Sequence, residues 1–215
     1  MRRRYATKMF SVLQHIARSL GYLHSIGFVH GNVSLETCGK YDDDWKLSDI
    51  LGMQRVGQHF EPGRFSQSAS PETIEPLSNA LVDQYTFRTD VITHPCIDVW
   101  AFGKLAFEAL VGESLIAFED HNERDQSQES AALMKTMRWN DFDLEGVRQK
   151  TRRAGVSKIA SDLITQCLSP ETDDRPSMEE ISHSLWKESQ ASTATASRIP
   201  EESDGGSSFG EIHEI

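Results

Sequence analysis

The sequence predicts a mainly α fold with one small β-hairpin, and three stretches carry that expectation. Met9, Leu13, Ile16, Leu20 and Leu23 recur at alternating steps of four and three, the spacing of a single apolar stripe on a helix. Ile97, Val99, Trp100, Phe102, Leu105, Ala106, Phe107, Ala109 and Leu110 cover nearly every face of another, as in a helix buried on all sides. Ser177 followed three residues later by Glu180 is the signature of a capping box, opening a last helix with Ile181, Leu185 and Trp186 turned inward.

Taken in order, the first helix stops near Gly27, and Arg2 to Arg4 ahead of it read as a short frayed, basic extension over residues 1–5. Phe28-Val29 leads into a loop, "HGNVSLETC", and then into two extended runs, Leu35 to Cys38 and Trp45 to Ser48. Lys40 to Asp44 is the expected acidic turn between them. Its consecutive aspartates point apart and repel, so a solvated turn is expected there rather than a metal cluster. From Ile50 to about His94 the chain is irregular, with Pro62, Gly63, Pro71 and Pro76; a loop of that length inside a compact domain usually has a function. The all-apolar helix ends at Gly112. Short helices are expected near Ala131 to Trp139 and from Val156 to Leu168, the second with Ile159, Leu163, Ile164 and Leu168 as its stripe. From residue 189 to 215 the Ser, Thr, Gly and Glu content cannot bury a core and reads as a disordered acidic tail.

Composition removes several classes of function. The chain has 215 residues, 22 Lys and Arg against 33 Asp and Glu, and a formal charge of −11, so a phosphate backbone would meet net repulsion and nucleic acid is not an expected partner. Three cysteines, Cys38, Cys96 and Cys167, lie far apart without metal-ligand spacing, which points to neither a disulfide framework nor a zinc site. No signal peptide follows Met1. The longest apolar run, Val99 to Val111, is interrupted by Lys104 and Glu108 and is too short to span a bilayer. An intracellular, cytoplasmic setting is expected.

Five stretches, "HGNVSLETC", "WKLSDIL", "SPETI", "DVWAFGKLAFEAL" and "LSPETDDRPSMEEI", resemble in this order the C-terminal lobe of a eukaryotic protein kinase. The resemblance covers residues 6–188 and implies a kinase-like C-lobe whose N-terminal lobe is absent from the chain. No stretch ahead of the first helix supplies the glycine-rich strand-turn-strand, the phosphate-binding Lys or its Glu partner. "GGSSFGEI" in the tail imitates a glycine-rich loop but lacks the strands and Lys to use one.

The catalytic loop of the family reads H-R-D-x-x-x-x-N. Here His30 matches, Gly31 stands for the Arg, Asn32 for the Asp and Thr37 for the Asn. In the family the Asp accepts the proton of the substrate hydroxyl; a carboxamide has no basic oxygen for that task, a loss of about 10²- to 10⁴-fold in rate. Ser34 replaces the loop Lys, so a cation beside the transferring phosphate is lost too. Thr37 is short and stiff, a poorer magnesium ligand than an amide oxygen. Asp49 falls where the family's D-F-G Asp holds the metal, so one magnesium ligand survives by resemblance, while Ile50 and Leu51 replace the Phe and Gly; a merely polar strand-end Asp49 is the plainer reading. The Gly31 position also lacks the Arg that in many kinases pairs with a phosphorylated activation loop, leaving Ser66, Ser68 and Ser70 without that partner.

The architectural residues are better kept. Ser70-Pro71-Glu72 resembles A-P-E, and Arg175 matches the buried partner of that Glu, so a Glu72–Arg175 ion pair is expected. Asp98 matches the residue that receives hydrogen bonds from the loop's backbone at His30 and Gly31; a solvated helix-start Asp is the alternative. These departures imply a pseudokinase that binds a protein partner. Magnesium and ATP are cofactors only if the site is competent, and nucleotide binding is doubtful. Two other readings stay open: the C-lobe of an active Ser/Thr kinase, and a small-molecule phosphotransferase, whose H-G-D motif differs from "HGN" at one residue.

Overall fold

A computed structural model describes residues 2–42, 44–61, 69–76, 85–88, 90–116, 126–185 and 187. It is mostly helical, with six short strands in three two-stranded pairs among the described residues. The first helix, α1 (Arg2–Ser25), buries Leu13, Ile16 and Leu20 along the expected stripe. It begins at Arg2, so the basic run lies within the helix. Gly27 follows at φ 80, a left-handed turn that ends the helix and redirects the chain into β1 (Phe28–Val29).

The hairpin forms, but its first strand lies three residues further on than expected. β2 (Cys38–Tyr41) pairs antiparallel with β3 (Asp44–Leu47), with Cys38 opposite Leu47 and Tyr41 opposite Asp44. The cause is local: the Thr37 and Cys38 amides donate back to the carbonyls of Ser34 and Leu35, at 3.3 and 3.4 Å, so residues 34–37 are a turn and Leu35 is exposed. α1 holds the second strand, His15 Nδ1 accepting from the Trp45 amide at 3.1 Å.

The long segment is less bare than its composition suggested. After a 3₁₀ turn at Ile50–Gly52, β4 (Gln54–Arg55) pairs with β1, and β5 (Ile74–Pro76) pairs with β6 (Tyr85–Phe87).

α2 (Cys96–Val111) is the centre of the core, with Trp100, Phe102, Leu105 and Phe107 almost inaccessible, and it ends at Gly112. α3 (Gln126–Met137) starts earlier than the sequence indicated. α4 (Asp141–Ala154) was not foreseen at all: Asn140 and Asp143 form a capping box, Gly155 closes it at φ 76, and Leu144, Val147 and Thr151 are its buried face. α5 (Lys158–Cys167) buries Leu163 and Ile164, but Ile159, expected in the same stripe, is half exposed. α2 and α5 approach closely at Gly103, where an added Cβ would stand 2.6 Å from Cys167 Cβ. Residues 178–185 form α6, with Ile181 and Leu185 buried. Its capping box is present: the Ser177 amide donates to Glu180 Oε2 at 2.8 Å, and the Glu180 amide to Ser177 Oγ at 3.3 Å. Trp186 and the tail from residue 188 lie outside the described residues.

Candidate active-site loop and its anchors

Residues 30–37 leave β1 as a loop held from below by the first turn of α2. Asp98 is fully buried there, and its carboxylate receives the His30 amide at 2.7 Å, the Gly31 amide at 2.9 Å and His24 Nε2 at 3.0 Å. A buried carboxylate is tolerable only when its lone pairs are so met. The solvated helix-start alternative for Asp98 is therefore excluded.

His30 is equally committed. Its Nε2 donates to the Ser48 carbonyl at 3.1 Å, which leaves Nδ1 as the acceptor for the Asn32 amide at 3.3 Å. The ring is buried and ties the loop to the end of β3.

Gly31 occupies a backbone position made for glycine. Its φ is 73, and a Cβ there would lie 2.6 Å from the Gly52 carbonyl oxygen. The missing Arg at this position is thus not a simple exchange of side chains, because the local backbone has closed over the space any side chain would need.

Asn32 is almost fully buried, and its Nδ2 donates to Asp49 Oδ2 at 3.2 Å. Asp49 itself is half-buried and left-handed, at φ 56 and ψ 68, a strained setting that turns its carboxylate toward the loop. So the two sequence-selected residues, 17 positions apart, do meet. Their contact is amide to carboxylate, with a donor where a base would have to accept. Ser34, half-buried, gives its amide to Thr37 Oγ1 at 3.0 Å. Thr37 Oγ1 is buried and lies 2.8 Å from the Asn32 carbonyl and 3.1 Å from that of Ser34. With these contacts the Thr37 hydroxyl staples the loop on itself. Asp49 is the carboxylate that this part of the loop meets, through the Asn32 amide. Among the described residues no group of three or more His, Cys, Asp or Glu side chains is placed to hold a metal ion.

On the far side, Arg175 and Glu72 form a two-pronged ion pair, Nη1 to Oε1 at 2.8 Å and Nη2 to Oε2 at 2.9 Å. The guanidinium is fully buried, donates to the Ser169 and Cys96 carbonyls at 2.9 and 3.1 Å, and stacks 5.2 Å over the Trp100 ring. Ser70 is buried beside this pair; Ser66 and Ser68 lie outside the described residues.

None of the three thiols is poised to react. Burial pushes Cys38 up to about 11 and Cys167 up to about 12, and burial together with the Glu72 charge pushes Cys96 up to about 12. All three are free.

The family model for the protein kinase domain matches residues 4–187, nearly the whole of what has been described. The chain belongs to the protein kinase family. Within it, the chain is similar to the CaM kinase-like vesicle-associated proteins of Homo sapiens, Rattus norvegicus and Mus musculus, at 26% identity over 174 residues in each case. The match takes in 80% of this kinase-family chain but 32% of the human and rat relatives and 31% of the mouse one. The chain therefore spans about a third of the length of the curated relatives it matches.

One residue of this site went unnoticed in the sequence, His24. His24 stands six positions before His30 on the last turn of α1, where a histidine at a helix end looks like a response to the helix dipole.

Proposed function

We propose that this kinase-family chain is the C-terminal lobe of a pseudokinase, which acts by binding a partner protein in signalling and does not transfer phosphate. The observation that carries the reading is the Asn32 amide donating to Asp49 at 3.2 Å. A group in that orientation positions the carboxylate and has no lone pair basic enough to take a hydroxyl proton. Ser34 and Gly31 bring no cation to replace the two that the family would supply there.

The exposed flank of the site supports a binding role. Ile50 and Leu51, next to Asp49, are 66% and 88% exposed, an apolar edge suited to contact with another lobe or another protein. No helix among the described residues is long and apolar enough to cross a membrane. A cytoplasmic setting is proposed, and the relatives' name adds a vesicle-associated one.

Asp49 favours one other reading, the C-lobe of an active ATP-dependent Ser/Thr kinase, in which it would hold magnesium against the nucleotide phosphates. The test is phosphate transfer from ATP to a generic protein substrate by the purified chain, alone and joined to a kinase N-terminal lobe. No transfer is expected in either. Magnesium-dependent transfer that disappears in Asp49→Ala would overturn the proposal.

A further inference from the structure

We infer that Gln54 is a neutral anchor that holds the start of the activation-loop-like segment in place without phosphorylation. Its carboxamide works like a short piece of strand: Oε1 receives the Glu61 amide at 2.7 Å while Nε2 donates to the Glu61 carbonyl at 2.6 Å. The same group lies 3.4 Å from the buried Thr93 hydroxyl and 3.5 Å from the Gly52 carbonyl, so one side chain joins the 3₁₀ turn, the outgoing segment and the approach to α2. Backbone contacts run alongside it: the Gly57 amide to Thr93 O at 2.9 Å, Thr93 to Gln58 O at 2.8 Å, and Phe60 to Val91 O at 2.8 Å.

The position of this amide is informative. A Cβ on Gly31 would lie 3.9 Å from Gln54 Nε2, so the anchor sits beside the place from which a side chain at residue 31 would have grown. Where that side chain is an Arg it reads a phosphate; here a neutral amide reads a backbone, and needs no added charge. The inference rests on the kinase-like reading only in taking residues 49–72 as the segment that a phosphate would otherwise order.

Amide hydrogen exchange on the full chain tests it. Gln54→Ala, and Gln54→Glu, which sets a carboxylate oxygen against two carbonyls, are each expected to speed exchange across residues 57–61 about tenfold while core amides in α2 are unchanged. In the unaltered chain the protection of these amides is expected to hold when salt is raised tenfold, since no ion pair is involved. It is also expected to be indifferent to Ser66→Glu and Ser68→Glu. Unchanged exchange in both Gln54 variants would overturn the inference, as would protection that falls with salt or rises with either added glutamate. The salt series needs no variant, so a Gln54 change that unfolds the chain does not remove the test. Failure of the pseudokinase proposal would instead appear as phosphate transfer and leave the exchange pattern as it is.

Discussion

The two ends of the loop differ in how their charges are satisfied. At the anchoring end, Asp98 has three donors within 3.0 Å and Arg175 has a carboxylate, two carbonyls within 3.1 Å and an aromatic face. Both charges are buried and fully engaged. At the other end, Asp49 is half-buried and meets the neutral Asn32 amide. Burial makes the first group expensive to alter, because removing one partner strands another without water. The second group has little at stake in folding, so it can change residue without loss of the fold. A kinase-like lobe can therefore lose its chemistry and keep its shape.

That contrast can be broken at several points, and the largest effect is expected at Arg175. Arg175→Ala should cost about 3 to 5 kcal/mol in urea unfolding, since it strands Glu72 and empties the space over Trp100. Asp98→Asn, measured the same way, should cost about 2 to 3 kcal/mol, as an amide cannot accept from His24 and from both loop amides as a carboxylate does. Gly31→Arg restores the residue of the family motif, yet it is expected to destabilise by about 1 to 3 kcal/mol from the left-handed backbone alone, more if Gly52 cannot move. At the chemical end the effects should be smaller. Asn32→Asp sets two carboxylates face to face, so about 1 to 2 kcal/mol should be lost near pH 7. The sign follows from a carboxyl held above its unfolded value: the stability is intact in acid and falls as pH rises toward neutrality, which an unfolding series across pH would show. The smallest change concerns the last helix. The Ser177 backbone amide, and then its hydroxyl, hold the exposed Glu180 carboxyl below the ordinary carboxylate range. Its contribution is present above the unfolded value and lost as pH falls through the folded one, so Glu180→Gln should remove a slight acid sensitivity from the melting profile.

How far these features could be read from the sequence depended on the range of the forces behind them. The α1 and α2 stripes and the Ser177 capping box are local patterns, and each appears where its spacing put it. α4 was missed because only Leu144, Val147 and Thr151 face inward among many charged residues, although Asn140, Asp143 and Gly155 marked its ends. The hairpin shifted because the Thr37 hydroxyl closes a turn that hydrophobic alternation does not reveal. Matching to family motifs picked out Asn32, Asp49, Asp98, Glu72 and Arg175 as site residues. It did not reveal that Asn32 donates to Asp49, which depends on a left-handed residue, nor that Gln54 completes the segment, which depends on a side chain imitating a backbone.

On the proposed reading Asp49 belongs to a site that does not hold magnesium and nucleotide. That reading is tested most directly by the melting temperature of the chain with magnesium and ATP, beside that of Asp49→Ala, because a ligand that binds the folded state alone must raise the midpoint. No magnesium-dependent rise is expected in either protein. A rise in the unaltered chain that vanishes in Asp49→Ala would contradict the reading and show a nucleotide site still in use.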